Sequence, residues 1–205
     1  MPFLCVLLLR VLRASVRGPS VLSPNPPPQN RVVRVPYETL PAVCDLYDKG
    51  VSATGLSKPF GLGGLRIGWM ATRCDELRNA VRNYRFYTAE MTNTPCQFLA
   101  VHALGKSDEV VRRNRQLIGE NLDRLATFVE QQPSLELQRP KAGTMAMVKQ
   151  NTGMTSTEFC QQLLEQQRVF LIPSGTMAMP DQSLRFGLGM TGFEDGLERL
   201  AAFLK

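Results

Sequence analysis

Two short apolar, β-branched runs flank a glycine-rich turn near one third of the way along the chain. The first runs from Val51 into Ser57-Lys58, and the second from Leu65 to Ala71. Gly61, Gly63 and Gly64 lie between them, so the pattern predicts two strands joined by a loop whose glycines supply positive φ. Lys58 is placed at the end of the first strand and Arg66 at the start of the second. From Asp75 to Tyr87 the period changes to that of a helix. Leu77, Val81 and Tyr84 share one face, and Arg78, Arg82 and Arg85 share another. Thr94 followed by Pro95 predicts a helix start, with proline at the first helical position. That helix passes through Phe98, Leu99, Val101 and Leu104 and is apolar enough to predict burial; His102 within it reads as a packing residue.

Ser107-Asp108-Glu109 opens a longer helix, its acids set to complement the helix dipole. Its apolar stripe (Ile118, Leu122, Leu125, Val129) continues to Gln132, where Pro133 stops it, and Arg112, Arg113 and Arg115 form the solvated face. Leu135–Gln138 and Thr144–Lys149 read as a hairpin around Pro140–Gly143. Thr155-x-x-Glu158 is a capping box for a helix carrying Phe159, Leu163 and Leu164. Val169–Ile172 and Ser183–Gly189 read as strands. Thr191-x-x-Glu194 reads as the cap of a last helix with Leu197, Leu200 and Leu204 inward. The class is therefore α/β.

Composition narrows the chemistry. The 205 residues hold five scattered cysteines and one histidine, with no metal-ligand spacing. This leaves little for a zinc site or a histidine-based nucleophilic dyad, and points to a reducing compartment. The net charge of +6 is concentrated in residues 1–37, which contain five arginines and no acid. No basic stripe interleaved with aromatics follows, so nucleic acid is not an expected partner. No apolar run is long enough for a membrane span. Residues 1–37 form a basic, proline-rich leader that reads as a mis-framed start, or alternatively as a transit-like segment; a signal or anchor is the remaining reading.

The stretch Gly55-Leu56-Ser57-Lys58-Pro59-Phe60-Gly61-Leu62-Gly63-Gly64-Leu65-Arg66-Ile67-Gly68 resembles the cofactor-lysine segment of class I/II (fold-type I) pyridoxal-phosphate-dependent aminotransferases. It departs from that pattern at Gly55, where many members carry a hydroxyl that helps hold the phosphate. Ser183-Leu184-Arg185-Phe186-Gly187-Leu188-Gly189 resembles the family's C-terminal strand, and Pro173-Ser174-Gly175 the turn before it. The likeness covers about residues 50–205 and corresponds to the C-terminal half of a member. An Asp/Tyr pair precedes the lysine in the family. The stretch at that distance here, residues 22–28, holds neither, and Asp45 and Asp48 lie too near the lysine to replace it.

The resemblance implies the C-terminal part of a large cofactor-binding domain at 38–106, then a linking helix and a small α+β domain at 107–205. It implies that Lys58 condenses with pyridoxal 5'-phosphate, that Arg66 holds the phosphate with help from Ser57, and that Arg185 grips the substrate carboxylate. Freed from the cofactor, Lys58 would then carry the proton between Cα and C4′. The implied substrates are an L-amino acid and a 2-oxo acid, the implied assembly a homodimer, and the implied location the cytoplasm, or an organelle if 1–37 is a transit segment. Two rivals remain: a lyase or cyclase on the same scaffold, and a non-catalytic remnant or interaction module lacking the N-terminal half.

Overall fold

The computed structural model describes residues 41–89 and 91–205. The readings of residues 1–37, including the missing Asp/Tyr pair at 22–28, lie outside the described residues. The chain divides into two compact units, one ending at Val111 and the other spanning Arg112–Lys205.

In the first unit, helix α1 (Val43–Leu46) leads into strand β1 (Val51–Gly55). A turn and a 3-10 segment (Gly63–Leu65) connect it to strand β2 (Gly68–Thr72). The strands pair antiparallel with Gly55 opposite Gly68. Helices α2 (Asp75–Ala89) and α3 (Thr94–Gly105) follow. The core is small: Leu56, Phe60 and Ile67 from the turn pack with Ala100 and Leu104 of α3. The burial expected of α3 is thus confined to Ala100 and Leu104, while Phe98 is 63% and Leu99 50% exposed. Only one side of that largely apolar helix finds a partner among the described residues. His102 is exposed rather than packed, its ring 4.4 Å from that of Phe98 and its Nδ1 3.1 Å from the Phe98 carbonyl oxygen. The first helical residue of α3 is Thr94, not Pro95, because Asn93 takes the capping role and accepts from the Cys96 N–H.

The second unit is a four-stranded antiparallel sheet in the order β3-β4-β6-β5. The strands are β3 (Leu135–Leu137), β4 (Met145–Gln150), β5 (Ile172–Pro173) and β6 (Ser183–Gly187). Helix α4 (Ser107–Glu130) from Arg112 onward, with α5 (Ser156–Gln167) and α6 (Phe193–Phe203), supplies the rest of the core. Strand alternation sends Ala146, Val148, Leu184 and Phe186 toward Leu125, Phe159, Leu163 and Leu200. The predicted capping box is present: Thr155 accepts from Glu158 N–H and the Glu158 carboxylate accepts from Thr155 N–H. The predicted cap at Thr191 is not. The N-cap of α6 is Gly192, which makes no side-chain capping bond.

Strand β5 is also shorter than the apolar run Val169–Ile172 suggested. Only Ile172 and Pro173 pair with β6, opposite Arg185 and Leu184, and Pro173 has no N–H to extend the ladder. Asn121, on the apolar stripe of α4, is buried; its amide donates to the carbonyls of Leu188 (2.9 Å) and Met190 (2.8 Å), tying the end of β6 to the helix.

Candidate functional site

The lysine turn is held from both sides by buried apolar residues. Leu56 and Phe60 are sunk in the core of the first unit, which turns the intervening Ser57, Lys58 and Pro59 outward. Leu56 N–H donates to the Ile67 carbonyl (3.0 Å), Leu62 N–H to the Leu56 carbonyl (3.0 Å) and Gly61 N–H to the Lys58 carbonyl (3.4 Å). These bonds close the loop on itself, so that Ser57, Lys58 and Arg66 belong to one turn. Lys58 is exposed, and its side-chain amine makes no hydrogen bond or ion pair among the described residues. Ser57 is half-buried.

Arg66 differs from expectation in backbone. It does not begin the second strand but sits two residues before β2 as the left-handed C-cap of the 3-10 segment, with φ 52°. Positive φ is incompatible with an extended strand, and a non-glycine residue pays for it. Of the loop glycines, only Gly61 carries positive φ (67°). The left-handed position that glycine usually fills is thus occupied by an arginine. Its guanidinium is exposed and, among the described residues, donates one bond, to the Gly63 carbonyl at 3.2 Å.

Gly55, the departure from the resembled pattern, has a structural reason. A Cβ there would stand 2.8 Å from the Ile67 carbonyl oxygen and 3.1 Å from Gly68 Cα, both main-chain atoms that cannot swing aside. The close approach of β1 and β2 requires glycine at this pair. We expect Gly55→Ser to cost about 1–3 kcal/mol through overpacking without gaining phosphate affinity. Urea unfolding and a phosphate titration check both parts. Asp45, weighed above as a substitute acid, is paired with Arg73 at 3.6 Å.

Arg185 lies in the other unit, on β6. Its neighbours Leu184 and Phe186 are buried in the core, so alternation places Arg185 on the sheet face away from the helices. It is opposite Met147 on β4 and Ile172 on β5. Its Nη1 is 4.0 Å from Met177 Sδ, and no carboxylate pairs with it among the described residues. With Ile172, Gly187 and Met190, and with Phe193, Asp195 and Arg199 of α6, it lines a cavity of about 570 Å³. A half-exposed guanidinium without an acid partner, beside apolar side chains, suits a carboxylate through two parallel hydrogen bonds.

The sequence reading missed a polar cluster that holds the loop between β5 and β6. Asp181 accepts from the Ser156 hydroxyl, from Thr157 N–H (3.2 Å) and from the Thr157 hydroxyl (2.9 Å) at the start of α5. The hydroxyl-rich start of that helix was visible, but nothing local links it to an acid two dozen residues later. Hydrogen bonds, above all from Ser156, hold the Asp181 carboxyl below the usual carboxylate range, and those from Thr155 do the same for Glu158. The stabilisation from such depressed carboxylates is present at neutral pH and is lost as pH falls through their folded values. Burial, with a smaller contribution from Asp181, pushes the Cys160 thiol up to about 11, so it stays protonated and unreactive.

Among the described residues no cluster suits a metal ion and no helix is long and apolar enough to cross a membrane. The four described cysteines are free.

Comparison with known proteins agrees with the motifs. The chain is 33% identical to the solved structure of a PLP-dependent aminotransferase from Streptococcus suis, with a TM-score of 0.76 over 80% of this chain and 44% of that one. It is 29% identical to the solved PLP-dependent cyclase OrfR, with a TM-score of 0.67 over 75% of this chain and 42% of that one. Among curated relatives, the LL-diaminopimelate aminotransferase of Dehalococcoides mccartyi is 26% identical over 161 residues, covering 77% of this chain and 41% of the relative. The chain thus spans about two fifths of the length of the curated relatives it matches. The family described as aminotransferase class I and II matches residues 35–204. The chain belongs to that family.

Proposed function

We propose that this chain is the cofactor-lysine and carboxylate-arginine portion of a pyridoxal-phosphate-dependent aminotransferase. The observation that carries the reading is the turn at 56–67. It brings an unpaired amine, a hydroxyl and a guanidinium onto one loop fixed by Leu56, Phe60 and Ile67. That donor set fits an aldehyde that also bears a dianionic phosphate: Lys58 for the aldehyde carbon, Arg66 and Ser57 for the phosphate. When bound, pyridoxal phosphate supplies the electron sink for charge developing at the substrate Cα.

The protein's own contribution is orientation and proton movement. Arg66 fixes the anionic end of the cofactor, and Arg185 fixes the carboxylate of an L-amino acid or 2-oxo acid. The Lys58 amine is the group that takes and returns the Cα proton. In this reading residues 38–106 are the remnant of the large domain, residues 107–205 are the linking helix and the small domain, and the working assembly is a homodimer.

Incubation of the full chain with pyridoxal phosphate, a panel of L-amino acids and 2-oxoglutarate tests the reaction. The expected product is glutamate. The likeness to a cyclase favours one second reading, a lyase or cyclase on the same scaffold, and ammonia release or ring closure without glutamate would support it. No amino-acid turnover of either kind would count against catalysis by this chain.

A further inference from the structure

We propose that Asp181 is a positioning residue for Arg185, acting through the loop that joins β5 to β6. The inference rests on the reading of Arg185 as a carboxylate ligand and extends it to a residue outside the binding set. Pro173 leads into a 3-10 turn at Ser174–Met177, and Ala178 ends that turn in the left-handed conformation (φ 54°). The chain then crosses to α5, where the Asp181 carbonyl accepts from Ser156 N–H (2.9 Å). The Asp181 carboxylate accepts from the hydroxyls of Ser156 and Thr157 and from Thr157 N–H. A further donor is the Gly175 N–H. A Cβ on Gly175 would stand 2.8 Å from this carboxylate, so the main chain of the turn lies directly against it.

Ser174, fully buried, completes the clamp. Its hydroxyl donates to the Pro180 carbonyl and accepts from Ser183 N–H (2.9 Å), the first residue of β6. One anion therefore ties the N-terminus of α5 to the turn, and one hydroxyl ties the turn to the strand that carries Arg185. The turn presents Met177, whose Sδ lies 4.0 Å from Arg185 Nη1. Met147 and Ile172 are the cross-strand neighbours of Arg185, and Met177 is the contact that the turn adds. Releasing Asp181 frees the only one of these three neighbours that is not itself in the β-ladder.

The test uses the full chain, labelled with 15N, and follows the Arg185 Nε–Hε resonance with and without 2-oxoglutarate. Asp181→Asn places an amide donor against four donors, and Thr157→Val removes one of them. Thr157→Val carries the test if Asp181→Asn fails to fold. Asn121→Ala serves as a control that destabilises the same unit at a different tie. We expect both clamp variants to shift or broaden the Arg185 resonance and to weaken 2-oxoglutarate binding on the order of tenfold. Asn121→Ala should leave the resonance in place. The proposal is overturned if the clamp variants keep the wild-type resonance, or if Asn121→Ala moves it equally. If 2-oxoglutarate fails to perturb Arg185 in the wild type, the carboxylate reading fails instead, and the resonance alone decides the role of Asp181.

Discussion

Lys58→Ala leaves the chain unable to form a visible, cofactor-dependent absorbance band with pyridoxal phosphate. It also removes whatever amino-group transfer the wild type shows. The effect is the largest expected of any single change because two functions reside in one amine. The first is covalent retention of the aldehyde, for which the Ser57 hydroxyl and the Arg66 guanidinium are no substitute. The second is proton transfer at Cα, where loss of a positioned acid–base group alone costs about 10²–10⁴ in rate. Stability should barely change, since the side chain is exposed and has no partner among the described residues. Absorbance spectra and urea unfolding of the same preparation separate the two. A band that persists in the variant would place the reactive amine elsewhere.

Phe159→Ala is expected to remove about 3–5 kcal/mol of stability, the usual range for truncating a buried phenylalanine. Phe159 is completely buried and meets Phe203 edge-on at a centroid distance of 5.0 Å, joining α5 to α6. Leu163, Leu184 and Leu200 share its cluster and are also fully buried, so little can move in to fill the void. A loss of this size is a large share of the total stability of an ordinary domain, about 5–15 kcal/mol. The urea midpoint should fall with an unchanged slope. A cost under about 1 kcal/mol would mean that the site collapses freely and that Phe159 is not the hub of the second unit.

Much of this fold could be read from residue order because its signals are local. The periodicity of α4 and α5 and the capping box at Thr155 depend on residues a few positions apart, and the hairpin β3–β4 pairs neighbouring segments. The misreadings came where a distant partner decides. The one-sided burial of α3 depends on which neighbours it meets, not on its own apolar composition. The short β5 reflects the register against β6 and the proline within it. The left-handed Arg66 follows from closing a turn around Leu56 and Phe60, and an arginine carries no signature of that backbone.

The same contrast holds at the site. Ser57, Lys58 and Arg66 announce themselves as a contiguous motif, and Arg185 sits within a recognisable strand. The supports were hidden. Asp181 meets α5 across two dozen residues, and Gly55 meets Gly68 across a strand pair. Asn121 could have been found as the polar break in an otherwise apolar helical stripe, but its two carbonyl partners lie just past the end of β6.

The most direct measurement is reductive trapping. The full chain is treated with pyridoxal phosphate and then borohydride, digested, and the modified lysines are mapped by mass spectrometry. Lys49, Lys106, Lys141, Lys149 and Lys205 serve as internal controls, since each offers an amine without Arg66 and Ser57 on the same turn. The account predicts that Lys58 is modified first and predominantly, and that Arg66→Ala removes this preference. Labelling spread evenly over the lysines, or unchanged by the loss of Arg66, would contradict it.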